Sequence, residues 1–110
     1  MDGARVAKGL IMGLEFAVDE LYATGWTALD TTGCEHGPDG RPFPTPDRVA
    51  SEFGAAGMEL GLRHVQLFDC YRAEWREPGG ETLGSVVGHT EAEASVYALS
   101  QLRRQMALVS

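Results

Sequence analysis

Cys34 and His36 stand two residues apart in a segment, GCEHGPDGRPFPTP, that also carries Glu35 and Asp39. A thiolate and an imidazole are ligands for zinc, so the pair is a candidate metal site. A structural zinc site needs further ligands at matched spacing, and no C-x-x-C or H-x-x-x-H completes this one. The expectation is no metal and no cofactor. The same pair reads alternatively as nucleophile and base. That chemistry needs a thiol of lowered pKa with the base within hydrogen-bond reach, and residues two apart in a Gly/Pro-rich loop do not fix such geometry.

His64 and His89 fall at the boundaries of regular elements. With Asp69 they are candidate acid–base residues if a sheet brings them together. No glycine-rich phosphate loop accompanies them, because GLIMG lies inside a helical pattern and follows no strand. Binding chemistry has better candidates. Trp75, Tyr71, Arg72 and Arg76 cluster near a turn, and Trp, Tyr and Arg concentrate interface energy. Gly9 and Gly13 are four apart and share a helix face, although each interior glycine costs about 1 kcal/mol. They suit close packing against the domain's own sheet or contact with another subunit. A transmembrane GxxxG reading fails for want of a surrounding apolar segment of about 20 residues.

The elements that must position these residues follow from periodicity and punctuation. Ala7, Leu10, Ile11, Leu14, Ala17, Val18 and Leu21 recur at helical spacing, so the sequence predicts a helix over residues 4–22, stopped near Gly25. Residues 26–32 offer a short strand. Residues 33–46 read as a loop, with turn chemistry at Pro38-Asp39-Gly40. Thr45-Pro46-Asp47 opens a second helix, whose stripe Val49, Phe53, Ala56 and Leu60 runs to a stop at Gly61. Residues 64–75 then alternate as one strand. Val65, Leu67, Asp69, Tyr71, Ala73 and Trp75 form one face, and Cys70 is a small core residue of the strand. Pro78-Gly79-Gly80 reverses the chain into a second strand carrying Leu83, Val86 and Val87, with Gly84 as a gap or bulge. Thr90 and Glu93 form a capping box for a last helix, with Arg103 and Arg104 near its negative end.

The implied fold is a single α+β domain over residues 1–110, with two layers in the order α-(β)-α-β-β-α: a small antiparallel sheet of about two to four strands under about three helices. Apolar residues make up 44% of the chain and charged residues 23%, which suits a soluble globular core. Sixteen acids against nine bases give a net charge of −7, which opposes phosphate-backbone binding and makes nucleic acid an unlikely partner. A nucleic-acid mimic would rest on that net charge alone, and the acids form no runs. No signal peptide or membrane span is legible, so a cytoplasmic location without membrane attachment is expected. Two cysteines do not make a disulfide framework.

The ending GHTEAEASVYALSQL resembles the double-stranded RNA-binding fold, with Gly88, Thr90, Ala92, Ala94, Ala98 and Leu99 in the outline of its last helix. The basic residues that family carries at the helix start are replaced by Glu91 and Glu93, which removes the RNA contact from what the resemblance implies. The chain also resembles the small phage-associated "ABA sandwich" domains. Val6-Ala7 and Met12-Gly13 match the Val-Ala and Met-Gly of that family's first helix, and the segment from Thr90 to Leu102 its Thr-capped, Ala-rich last one. That resemblance implies a viral or mobile-element protein without known enzymatic activity. The functional expectation is a non-enzymatic protein-binding or regulatory domain, acting on a protein partner or on itself as a homo-oligomer. The alternative is a small enzyme or ligand- or metal-binding protein using the histidines and the Cys34–His36 loop.

Overall fold

The computed structural model describes residues 13–28 and 32–109. In chain order these form helix α1 (Gly13–Ala23), strands β1 (Cys34–His36) and β2 (Pro42–Pro44), and helix α2 (Pro46–Ala55). Strands β3 (Glu59–Val65), β4 (Cys70–Arg76) and β5 (Thr82–Gly88) follow, and helix α3 (Glu91–Val109) closes the order. The β1–β2 hairpin and the three-stranded β3-β4-β5 sheet are both antiparallel. The α+β class and the order of helices and strands are those the sequence implies. The sequence predicts the first helix over residues 4–22; positions 4–12 of that range, Gly9 among them, lie outside the described residues.

Helix α2 shows where the boundaries move. Its start is as expected: the Thr45 hydroxyl accepts from the Arg48 N–H at 3.3 Å, with Pro46 at the first helical position. Its end comes earlier than the Val49–Leu60 stripe implied. Gly57 takes φ +80°, its N–H reaches the Gly54 carbonyl at 3.0 Å, and the Met58 N–H reaches the Phe53 carbonyl at 2.9 Å. This paired closure stops a helix by satisfying its last carbonyls. Leu60 and Gly61 therefore belong to β3, not to a helix.

The single strand expected over 64–75 is two strands. A 3₁₀ turn, Gln66–Phe68, interrupts it, and Asp69 follows at φ 48°. Asp tolerates this left-handed conformation better than most residues. The turn joins β3 to β4 in the register Val65↔Cys70, His64↔Tyr71, through to Glu59↔Arg76. Pro78-Gly79-Gly80 reverses β4 into β5 as expected, with Gly79 at φ +75°. The presumed loop at 33–46 holds the β1–β2 hairpin, closed by the Gly40 N–H on the Gly37 carbonyl at 2.9 Å. The strand expected over residues 26–32 is absent from described residues 26–28 and 32; residues 29–31 lie outside the description.

Alternation fixes the faces of the main sheet. Ala73 and Trp75 of β4 are buried beneath α3 and α2, with Leu60 and Leu62 of β3 and Val86 of β5 beside them. Helix α3 touches the sheet and also α1, which explains why residues 93–96 and 98–100 are all buried. Its buried hydroxyls, Ser95 and Ser100, bond carbonyls three residues back at 3.0 and 2.9 Å. Gly13 packs against α3, not against the sheet, with the Glu93 carboxylate where its side chain would stand.

Candidate functional site

The tip of the β3–β4 hairpin presents the most exposed large apolar side chains among the described residues. Leu67 is 84% exposed and Phe68 74%, side by side on the 3₁₀ turn. Single exposed apolar residues are ordinary, but adjacent large ones on a protruding turn form an anchor of the kind a partner's pocket desolvates. The turn is stiffened from both ends. The Asp69 N–H bonds the Gln66 carbonyl at 3.3 Å, and the Asp69 carboxylate meets His64 Nε2 at 3.0 Å. The His64 ring lies 5.0 Å from the Tyr71 ring on the neighbouring strand. Sequence reasoning missed this anchor, because on an unbroken strand Leu67 and Phe68 would point to opposite faces. The signal was Asp69, a turn former in the middle of an apolar run.

The interface cluster read from the sequence is divided by strand alternation. Trp75 is only 1% exposed and packs on Phe53 with ring centroids 5.6 Å apart, so it is a core residue and not a surface anchor. Tyr71 shares that inward side, half-buried. Arg72 and Arg76 lie on the opposite face with Arg63, Glu59 and Glu74. There Glu74 takes Arg63 at 3.5 Å and Arg72 at 3.6 Å, and Glu59 takes Arg76 at 3.6 Å. Exposed pairs of this kind contribute about 0–1 kcal/mol each, so their main effect is to offset two of the three positive charges on the face. Cys70 also starts on that face, half-buried and outside the core.

The catalytic candidates fall into two separate pairs. His64 meets Asp69, while His89 Nδ1 meets Glu93 Oε1 at 3.2 Å. The first pair orients an imidazole, but both partners are exposed, where water screens the interaction. A groove of about 540 Å³, lined by Met58, Glu59, Leu60, Gly61, Glu74 and Arg76, lies at the opposite end of the sheet from it. The second pair belongs to the cap of α3. Thr90 Oγ1 accepts the Glu93 N–H at 3.1 Å as a capping box requires, but the buried carboxylate reaches back to the His89 N–H at 3.2 Å and not to Thr90. Arg103 and Arg104 do not sit at the end of α3, which runs on to Val109. They bind Thr24 Oγ1 at 2.8 Å and Glu20 at 2.5 Å instead, tying α3 to α1 and the turn after it.

Cys34 is half-buried on β1, 3.7 Å from Arg48 Nη1, and His36 is exposed. Among the described residues no group of three His, Cys, Asp or Glu side chains could hold a metal ion. Arg48 also bonds the Thr32 carbonyl at 2.6 Å and Glu52 at 3.2 Å, and Trp26 Nε1 donates to the same Glu52 at 3.3 Å. Arg41 ties the hairpin to α1 through Asp19 at 2.6 Å and is held within the hairpin turn by Asp39, also at 2.6 Å. The Arg41 N–H and guanidinium hold the Asp39 carboxyl below its ordinary range. Tyr22 donates to the Pro42 carbonyl at 2.6 Å, and burial raises its phenol's pKa against an opposing effect of Arg41. These contacts are struts between elements.

No helix among the described residues is long and apolar enough to cross a membrane. Comparison of the chain with protein-family models, with curated proteins and with solved structures finds no match.

Proposed function

We propose that this domain is a non-enzymatic protein-binding module, and that it engages its partner through the β3–β4 tip. The observation that carries this reading is the exposure of Leu67 and Phe68 at 84% and 74% on one stiffened turn. The net charge of −7 favours a protein partner over a nucleic acid, and the partner's pocket is expected to be apolar with a basic or neutral rim facing Asp69. An origin in phage or another mobile element is part of the same proposal. Its support is the Met12-Gly13 match and the Thr-capped, Ala-rich α3.

The test is a paired capture. Immobilised wild-type chain and a Leu67→Ser/Phe68→Ser variant are exposed to the same source proteome, and any retained protein is then titrated against both. The variant should keep the wild-type far-ultraviolet circular dichroism, since neither side chain is in the core. Its affinity for the partner should fall at least tenfold, which is about 1.4 kcal/mol. Equal affinity of wild type and variant for the retained protein defeats this reading of the tip.

A further inference from the structure

Strand β5 is an edge of the main sheet, paired with β4 alone among the described residues. An edge strand offers a row of unsatisfied backbone N–H and C=O groups, and proteins normally blunt such an edge with charge or proline. The other edge, β3, carries Glu59, Arg63 and His64. Strand β5 reads TLGSVVG and has neither charge nor proline. Its inward positions are filled: Gly84 lies against the Trp75 ring and Gly88 against the backbone of Ala94. Its outward positions are Leu83, Ser85 and Val87, and Leu83 and Val87 are 48% and 55% exposed. A register shift opposite Trp75 and Arg76 places a bulge at Leu83 and leaves Gly84 to Gly88 as the regular run.

These outward residues are self-complementary. If two β5 strands run antiparallel about a two-fold axis at Ser85, Leu83 of one copy stands opposite Val87 of the other, and Val87 opposite Leu83. Each Leu83–Val87 contact then closes one end of the paired segment Gly84–Val86, with Leu83 contributing from the bulge that ends the regular run and not from within it. The inward pairs are Gly84 against Val86, small against branched. A chain of net charge −7 resists a second copy, and an uncharged strand is where that resistance is least.

We propose that β5 is a self-association edge: two copies pair β5 antiparallel about a two-fold axis at Ser85 and join their sheets into one. This surface is separate from the tip, so the two proposals fail independently. An interface of one strand from each copy is at the small end of the range, and a micromolar dissociation constant is expected.

The experiment is sedimentation equilibrium of the full chain from about 1 μM to about 1 mM, the span in which so small an interface is measurable. The 11.9 kDa chain should shift to twice that mass across the series. Val87→Glu and, separately, Leu83→Lys should each weaken the dimer at least tenfold, since either leaves a charge opposite an apolar side chain. The Leu83→Lys/Val87→Glu double variant sets Lys against Glu twice across the two-fold and should restore the dimer to within about threefold. Leu67→Ser/Phe68→Ser should dimerise as wild type does. A monomer at every concentration overturns the proposal, as does a dimer indifferent to both single variants. Weakening without rescue by the double variant overturns the Ser85 register.

Discussion

Gly84→Ala should be among the most damaging single-methyl changes available in this chain, and Trp75→Phe should reverse most of the damage. A Cβ on Gly84 would stand 2.3 Å from Cζ2 of Trp75, 2.7 Å from Cε2 and 3.0 Å from Cη2. Carbon atoms in ordinary contact keep about 3.5–4.0 Å, so the ring or the strand must give by roughly 1.2 Å. The ring has nowhere to go: it is 1% exposed and tilted against Phe53 at 5.6 Å, inside a close-packed core. Overpacking costs about 1–3 kcal/mol, and a rigid bicycle met at three atoms belongs near 3. Trp75 Nε1 is, besides, buried with no hydrogen-bond partner, a penalty of about 1–3 kcal/mol already present in the wild type. Trp75→Phe deletes that N–H together with the ring edge nearest Gly84. Its lost packing and relieved donor nearly cancel, leaving a net cost of about 0–1 kcal/mol. In the double variant the new methyl occupies space the indole vacated, so the two changes should couple favourably by about 2 kcal/mol. Equilibrium urea unfolding of all four proteins, followed by far-ultraviolet circular dichroism, measures the cycle. Additivity within about 0.5 kcal/mol would refute the contact between Gly84 and Trp75 as the cause.

Tyr22 and Tyr97 should titrate later than a free tyrosine when phenolate absorbance is followed against pH, because burial raises both. For Tyr97 the Glu93 and Glu20 carboxylates add to the effect, while for Tyr22 Arg41 opposes it. A raised folded pKa means the protonated phenol favours the fold. This contribution is therefore complete below the unfolded value of 10.0 and disappears as pH rises through the folded values. Removing both phenols as Tyr22→Phe/Tyr97→Phe should flatten the alkaline fall in stability, and an unchanged fall contradicts the assignment. Gly13→Ala, which in a free helix would gain up to about 1 kcal/mol, should instead destabilise by about 1 kcal/mol. The new Cβ would lie 2.6 Å from Glu93 Oε1 and push that buried carboxylate off the His89 N–H, and a rise in melting temperature would exclude this.

What the sequence made legible was what local chemistry decides. Thr45-Pro46-Asp47, Pro78-Gly79-Gly80 and the Thr90 cap each specify a start or a reversal within four residues and stand where expected, although the Glu93 carboxylate reaches the His89 N–H and not that of Thr90. What it hid was decided by competition between signals of equal strength. Ala55-Ala56-Gly57 extends a helical stripe as readily as it ends one, and the closure of Met58 onto Phe53 settles it. Between His64 and Trp75, alternation alone would make one strand, and Asp69 turns it into two. That local decision reassigns Leu67 and Phe68 from sheet to surface. Trp75 misled for a related reason. Its charged neighbours Glu74 and Arg76 marked the hairpin as exposed, yet at period two they lie on the other face. Its parity with Ala73, legible from the start, was the better guide. Truncation at Trp75 therefore tests the fold and not the interface.

The placement of apolar exposure on the main sheet supports a division of labour. Its open face carries Arg63, Arg72, Arg76, Glu59 and Glu74, and the pairs among them offset all but one of its positive charges. An antiparallel sheet with one solvated face needs no more than that to be stable. The large apolar side chains it exposes are at its margins instead, Leu67 and Phe68 at the tip and Leu83 and Val87 along the β5 edge. Burying a side chain of this size on association is worth about 1.5–3 kcal/mol before the cost of ordering. Neither pair supports the core, and neither is paired across the sheet with a buried residue's side chain: Val87 faces Arg72, and Leu83 sits at the bulge. Packing among the described residues therefore gives no account of why these positions are large and apolar. Under the two proposals above, contact with another molecule would account for them, and the two margins should lose different partners when they are changed.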